Sequence, residues 1–121
     1  MPDVASSRGS TRLSPSITQI RQGLGVSRER LARLLDVSTK TIERWEARAS
    51  PPKNRRALAR LVKLGEIVEL GHQVYTPEAF HSFISLPMPV FGGRTALQMI
   101  EMDEIDRVYG EIVADYEGAG Y

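Results

Sequence analysis

The sequence predicts an all-α fold in which two small helical units share one long helix. Apolar residues recur at intervals of three and four along most of the chain, which is the period of amphipathic helices. No stretch of any length alternates apolar and polar residues as a half-buried strand does. Glycine and proline lie between the periodic segments, where helices are expected to end. A length of 121 residues suits one domain, or two very small ones that share a core.

Composition narrows the class of protein. The chain has no cysteine, which excludes disulfides and cysteine-based metal sites and fits the cytoplasm. No apolar run approaches the length of about 20 residues that a membrane-spanning helix needs. Residues 1–13 lack the apolar core of a secretory signal and are rich in serine, glycine and arginine. We therefore expect a cytoplasmic protein with no membrane partner, in which residues 1–13 form a flexible arm.

The net charge of +1 conceals a strong asymmetry. Residues 1–60 carry 13 Lys or Arg and 5 Asp or Glu, a net charge of +8, whereas residues 61–121 carry 3 and 10, a net charge of −7. Such a division indicates two surfaces with different partners, and a polyanion is the natural partner of the basic half. The alternative is that the charges only keep both halves solvated.

Residues 14–60 form the first predicted unit, which opens with two short helices. Ser14 as cap and Pro15 at the first helical position begin the first helix, and Gly23 and Gly25 are expected to end it. Ser27 caps the second helix. The buried stripe of this second helix is expected at Leu31, Leu34 and Leu35.

A tight turn at residues 36–37 leads to the third predicted helix, which Ser38 caps and the prolines of residues 49–52 stop. This spacing is that of a helix-turn-helix, whose second helix enters the major groove of DNA. The alternative is a small bundle whose basic face is only solvated. The apolar contacts between its two helices are expected at Ala32, Leu35, Val37, Ile42 and Trp45.

The predicted DNA-contacting residues follow from this arrangement. Lys40 and Arg44 can donate to guanine edges or to phosphates, and Thr39 can reach a base or a methyl group. Helix N-termini bind phosphate, which adds residues at the starts of the second, third and fourth helices. One such unit buries little surface, so we expect DNA binding to require a homodimer. The full predicted set is Arg28, Ser38, Thr39, Lys40, Thr41, Arg44, Arg48, Arg55 and Arg56.

A fourth helix is predicted over residues 54–70, with Gly71 as its end signal. Its later turns are apolar on more than one face, which indicates burial by two neighbours. We interpret this helix as the spine that joins the two halves and as part of a dimer contact. The alternative is an ordinary core helix of a monomer.

The second predicted unit spans residues 61–121 and is acidic. Residues 76–78 give a cap, a proline at the first helical position and an acid in the first turn of a helix. Residues 87–93 form an irregular loop, after which Thr95 caps a short helix. Asp103 is expected to cap the last helix, and Gly118 is expected to end it and leave residues 119–121 as a short tail. The expected apolar stripe before the loop is Phe80, Phe83 and Ile84.

Residues 27–52 resemble the Xre/Cro-type helix-turn-helix. The resemblance lies in the Leu31-Ala32 opening, the turn, the isoleucine at position 42 and the Trp45-Glu46 pair. Asp36 stands where that family usually has glycine, and Asp tolerates positive φ better than most residues. Ala47-Arg48 replaces the usual arginine-glycine.

The second half is similar to the toxin-binding domain of the MbcA/ParS/Xre antitoxin family. The similarity lies in Phe83-Ile84, the proline-rich loop, the motif over residues 92–97 and the closing helix that reaches Gly118. The family usually has tryptophan-leucine before the loop, and Thr-Pro where this chain has Thr95-Ala96. The two resemblances together cover nearly all of the chain after residue 13.

This family resemblance implies an antitoxin that neutralises an NAD⁺-destroying RES-domain toxin and represses its own operon. The antitoxin's C-terminal segment lies over the toxin's active-site cleft in that family. A tail that ends in an aromatic ring and a carboxylate suits a dinucleotide pocket. The alternatives are a frayed terminus, and a repressor whose acidic half only dimerises. The toxin-binding residues that the resemblance implies are Tyr116, Glu117, Gly118, Ala119, Gly120 and Tyr121.

Enzyme chemistry has little support in the sequence. His72 and His81 are nine positions apart, so they do not share a helix face as metal ligands do. The acids of residues 101–106 lack the alternating spacing of a calcium loop and are expected to serve as a cap and a solvated helix start. No Ser-His-Asp set or phosphate-binding glycine loop is present. We therefore expect no catalysis, no cofactor and no metal.

Overall fold

The computed structural model describes residues 16–48 and 52–120. Within these residues the chain forms seven α-helices and one 3₁₀ turn, with no strand, which confirms the all-α fold. The predicted arm over residues 1–13, the Ser14-Pro15 helix opening, residues 49–51 of the predicted helix stop and Tyr121 lie outside the described part.

Three short helices come first: α1 (Ile17–Leu24), α2 (Arg28–Leu35) and α3 (Thr39–Arg48). Ser16, rather than Ser14, caps α1, since its hydroxyl accepts from the backbone N–H of Gln19. Gly25 ends α1 in the left-handed conformation, as predicted, but Gly23 lies inside the helix against Val68. The predicted cap of α2 is confirmed, because the hydroxyl of Ser27 accepts from the N–H of Arg30 at 3.0 Å.

The spine of the molecule is α4 (Arg55–Val74), which packs against α1, α2 and the last helix. Asn54 caps it through hydrogen bonds to the N–H groups of Arg56 and Ala57. The prediction that Gly71 ends this helix is wrong. The helix continues to Val74. Gly71 lies within it, where a glycine is needed because a Cβ would collide with the ring of Phe80.

The acidic half begins with α5 (Pro77–Ser85), which Thr76 caps as predicted. The irregular loop then holds a 3₁₀ turn (Pro89–Phe91), and Gly92 and Gly93 adopt positive φ. The short helix α6 (Ala96–Glu101) opens with a capping box between Thr95 and Gln98.

The last helix is α7 (Ile105–Gly120), and it departs from both predicted ends. Asp103 does not cap it, because this residue lies two positions before the helix at a φ of 68° and its carboxylate is paired elsewhere. Gly118 does not end it, since the helical backbone continues to Gly120. The predicted tail over residues 119–121 is therefore helical for its first two residues.

Buried apolar side chains from all seven helices form one cluster, and on α7 the last of them is Ile112. The cluster includes the apolar stripes predicted for both halves. Leu34, Ile42, Leu64, Ile100 and Ile112 are each fully buried in it. Burial of this kind stabilises by about 1.5–3 kcal/mol for each large apolar side chain. The basic and the acidic halves are thus packed on one another through α4 and α6.

Candidate nucleic-acid interface and C-terminal segment

Five of the nine predicted DNA-contacting residues lie on α3. Ile42 is fully buried and Ala32 is nearly so, while Trp45 packs half-buried against the core. This contact fixes the rotation of α3 about its axis, so that Lys40 and Arg44 are exposed. Arg48 is exposed as well, Thr39 and Thr41 are half-buried, and Arg55 and Arg56 are exposed at the start of α4.

Lys40, Arg44 and Arg48, which we call the α3 basic face, form no ion pair within the described residues. Three adjacent cations without a carboxylate partner attract a polyanion more strongly than paired ones do. The fold therefore leaves these three cations of the predicted DNA-contacting set exposed and unpaired within the described residues.

A cleft of about 580 Å³ lies between α3 and the start of α4. Trp45 and Val37 contribute to its apolar part, and Arg44, Arg48 and Lys53 bring positive charge to it. Lys53 was absent from the predicted set, although it directly precedes the Asn54 cap and adds to the charge beside the α3 basic face.

Arg28 is exposed but paired with an acid of α3. Its Nε lies 2.6 Å from one carboxylate oxygen of Glu46, and the Nε of Arg21 lies 2.7 Å from the other. The Glu46 side chain is only 6% exposed. Burial alone would raise the pKa of this carboxyl, but the hydrogen bonds from Arg21 and Arg28 outweigh burial and hold the pKa below its ordinary value. The Glu46 clamp thus joins α1, α2 and α3.

The predicted Ser38 cap is confirmed. Its hydroxyl accepts from the backbone N–H of Thr41 at 3.1 Å and lies 2.8 Å from the Thr41 hydroxyl. Both hydroxyls therefore hold the first turn of α3. Asp36 adopts a φ of 60° in the preceding turn, a left-handed conformation that Asp tolerates better than most residues.

The acids of residues 101–106 only partly serve as predicted: Asp106 is an exposed acid in the first turn of α7, whereas Glu101 and Asp103 are paired with arginines of other helices. Glu101 lies 2.6 Å from Arg30 and 3.5 Å from Arg33 on α2. Asp106 lies 3.5 Å from Lys63 on α4. The Glu101 pairs join the basic half to the acidic half and form what we call the ion-pair seam, whereas the Asp106–Lys63 pair lies within the acidic half. The described residues contain no group of three or more His, Cys, Asp or Glu able to hold a metal ion.

Arg60 is a second buried charge, and it is 8% exposed. Its guanidinium donates to the carbonyl of Leu34 at 2.7 Å and to Asp103 at 2.6 Å. It therefore connects the end of α2 to the turn before α7, and it completes the ion-pair seam. Sequence reasoning assigned no role to Arg60, since its partners are 26 and 43 positions away.

The last turns of α7 carry the predicted toxin-binding segment. Tyr116 is 55% exposed, and Glu117 and Gly118 are exposed as well. The backbone of Ala119 and Gly120 is helical, and Tyr121 lies outside the described residues.

One residue before this segment, Asp115 accepts a hydrogen bond of 2.5 Å from the hydroxyl of Tyr75. Burial, together with the nearby carboxylate of Asp115, raises the pKa of the Tyr75 hydroxyl well above its ordinary value. The hydroxyl therefore keeps its proton and remains the donor.

No helix in the described part of the chain has the length and apolar character needed to cross a membrane.

Comparison with solved structures gives a match that covers nearly the whole molecule. The fold is similar to that of a chain in the crystal structure of the M. tuberculosis MbcT–MbcA toxin–antitoxin complex, with a TM-score of 0.70. The two chains are 22% identical, over 88% of this chain and 95% of the other. The fold that the sequence resemblance implied is thereby confirmed. Comparisons with protein-family models and with curated proteins give no match.

Proposed function

We propose that this protein is the antitoxin of a toxin–antitoxin pair, a regulator without catalytic activity that binds a toxin and its own operator DNA. The observation that carries the proposal is the fold similarity to a chain of the MbcT–MbcA complex over 88% of the chain. The two family motifs in the sequence support the same assignment independently of the fold, because they rest on residue identity at the turn, the loop and the closing helix.

The proposed DNA surface is the α3 basic face, with α3 acting as the recognition helix of a helix-turn-helix. Its cations are exposed, and its opposite side is held by Ile42 and the Glu46 clamp. Lys40 and Arg44 would contact base edges or phosphates, and Arg55 and Arg56 would contact phosphates at the start of α4. Arg28 can contribute only the part of its guanidinium that Glu46 leaves accessible, since its side chain is 50% exposed.

We further propose that the protein binds its operator as a homodimer. Leu58 and Val62 lie one turn apart on α4 and are 38% and 43% exposed. Such an apolar strip on the spine helix suits contact with a second copy. A dimer would place two recognition helices on successive half-sites.

The proposed toxin surface is the C-terminal segment, residues 116–121, and the toxin class is a RES-domain NAD⁺-degrading enzyme. This class comes from the sequence resemblance. An exposed aromatic ring at Tyr116 followed by the Glu117 carboxylate suits a cleft that accepts the ring and the phosphates of a dinucleotide. The segment would inhibit by occupying that cleft in the cytoplasm.

Co-expression with a RES-domain protein encoded next to this chain, which the proposal requires, tests the toxin claim. We expect the two proteins to co-purify and the antitoxin to restore growth of cells that express the toxin. A variant that lacks residues 116–121 should lose the rescue and keep operator binding in a gel-shift assay. If the full chain neither co-purifies nor rescues, the toxin claim is wrong. A full chain that binds the operator without any toxin effect would instead identify a repressor whose acidic half only dimerises.

A further inference from the structure

The inner face of α7 changes from buried apolar residues to a carboxylate near the end of the helix. Val108 and Ile112 are fully buried, and Asp115 continues the same stripe one turn later. Asp115 is half-buried, and a carboxylate in this place requires a partner. Tyr116, Glu117 and Gly118 beyond it are exposed, and a Cβ on Gly118 would meet no atom within 4 Å. Asp115 is therefore the last described side chain of α7 that is held against the protein.

The partner of Asp115 is the hydroxyl of Tyr75, the residue that ends α4. The Tyr75 ring is itself fixed, since it stacks on the ring of Phe83 with centroids 5.3 Å apart and on that of Phe80 at 6.3 Å. A hydroxyl on so constrained a ring holds its acceptor in one place, and a hydrogen bond to a carboxylate is stronger than one between neutral groups.

We propose that Tyr75 is the positioning residue of the C-terminal segment. Its hydrogen bond to Asp115 fixes the direction in which residues 116–120 leave the protein, so that the segment meets the toxin as a preformed helix rather than as a flexible tail. Preorganisation of this kind raises affinity because less conformational entropy is lost on binding. This inference rests on the proposed toxin-binding function and assigns no direct toxin contact to Tyr75.

The first test is Tyr75→Phe in the full-length protein, assayed by inhibition of NAD⁺ hydrolysis by the RES-domain protein. We expect the inhibition constant to rise by about tenfold, the factor to which loss of one charge-assisted hydrogen bond corresponds. Operator affinity should not change, because the α3 basic face is remote in the chain from this bond. Tyr109→Phe is the matched control: it removes a hydroxyl from a half-buried tyrosine on α7 that forms no hydrogen bond among the described residues.

Two further measurements separate positioning from a general loss of stability. Hydrogen exchange of the free protein should accelerate at residues 116–120 in Tyr75→Phe, with the amides of residues 108–112 unchanged. In a chain shortened to end at Asp115, the Tyr75→Phe substitution should have no further effect on toxin binding, since the segment that it positions is gone. Asp115→Ala should weaken inhibition as much as Tyr75→Phe does, and the double variant should be no weaker than either one.

The results distinguish this inference from the proposed function. If the wild-type protein does not inhibit the toxin, the proposed function fails. If the wild-type protein inhibits and Tyr75→Phe inhibits equally well, or if exchange at residues 116–120 is unchanged, the positioning role of Tyr75 is wrong and the toxin-binding function stands. Equal weakening by Tyr109→Phe would also overturn it.

Discussion

The Nη2 atom of Arg60 lies 2.6 Å from the Oδ1 atom of Asp103, a residue 43 positions further along the chain. The same guanidinium donates through Nη1 to the carbonyl of Leu34 at the end of α2. One buried side chain on the spine helix thus ties the helix that supports α3 to the turn that starts α7. The proposed DNA surface and the proposed toxin surface are therefore parts of one packed unit.

Asp103→Asn tests the energetic contribution of this contact. Asn tolerates the positive φ at position 103 about as well as Asp, so the substitution removes the charge without adding backbone strain. Because the Asp103 side chain is 71% exposed, solvent screens the pair, and we expect a loss of only about 0.5–1 kcal/mol in the free energy of unfolding. Urea denaturation at low and at high salt measures it, and the loss should shrink at high salt. Glu104→Gln, at an exposed neighbouring position, is the control and should cause no comparable loss.

Glu46→Gln should change how stability depends on pH. The Arg21 and Arg28 hydrogen bonds lower the folded-state pKa of this carboxyl against the effect of burial. A lowered folded pKa means that the unfolded chain takes up the proton first as the pH falls. The stabilisation is therefore fully present above the ordinary value of 4.5 and is lost as the pH falls through the folded value.

For Glu46→Gln we expect a loss of about 1–2 kcal/mol at pH 7 and a flatter stability curve below pH 4.5 than in the wild type. Urea unfolding at a series of pH values between 7 and 3 measures both effects. Glu43→Gln, at an exposed position of the same helix, should leave the acid limb of the curve unchanged. Parallel curves for wild type and Glu46→Gln would contradict the prediction.

The local signals in the sequence predicted the elements well. The caps at Ser27, Thr76 and Thr95 were correct because each depends on a hydrogen bond to a backbone N–H only three residues away. The positive φ at Asp36 agrees with the family resemblance, in which glycine usually stands at this position. The stripes that form the core followed from helical periodicity, which is also local.

Features that depend on distant residues were beyond such reasoning. The local pattern predicts a helix end at Gly71, yet this glycine allows a close approach of Phe80 that the sequence around position 71 does not reveal. The local pattern likewise predicts a helix cap at Asp103, and it gives no sign of the partner Arg60, which is 43 positions away. The acid at position 46 was noted only as part of a motif, whereas its partners lie 25 and 18 positions before it. The roles of the α3 basic face and of the C-terminal segment stay predictions, since they concern other molecules.

The proposed DNA surface can be divided into base-reading and phosphate-binding residues by mutation. Lys40→Ala or Arg44→Ala should cost about 1–3 kcal/mol of operator affinity and relax the preference for operator over other sequences. Arg55→Ala should weaken binding to all sequences alike and reduce the salt slope by about one unit, since it removes one phosphate contact. Gel shifts over a series of salt concentrations, with operator and unrelated DNA, measure both quantities.

Arg94→Ala is the control for these variants. Arg94 is exposed on the loop between α5 and α6, so its removal should change neither affinity nor salt slope. An Arg44→Ala variant that loses affinity equally for all sequences would contradict its assignment to base reading.

Two glycines on helices should respond in opposite directions to replacement by alanine. Gly110 is exposed within α7, and a Cβ there meets no atom within 4 Å. Gly110→Ala should therefore raise the free energy of unfolding by up to about 1 kcal/mol, because alanine restricts the unfolded chain and favours the helix. Gly71 is buried in α4, and its Cβ would overlap the ring of Phe80. Gly71→Ala should lower the same free energy by about 1–3 kcal/mol through overpacking.

Urea denaturation of both variants and of the wild type measures the two opposite changes in the free energy of unfolding. Phe80→Leu should lower the free energy of unfolding less in the Gly71→Ala background than in the wild type. The smaller side chain removes the ring that the new methyl group meets. If Gly71→Ala were instead as stable as Gly110→Ala, the close contact that the structure shows between Gly71 of α4 and Phe80 of α5 would be contradicted. The inclination of α5 to the spine depends on that approach, and so does the stack of Tyr75 on Phe80 and Phe83. Gly71→Ala should for this reason also accelerate hydrogen exchange at the end of α7, whereas Gly110→Ala should not.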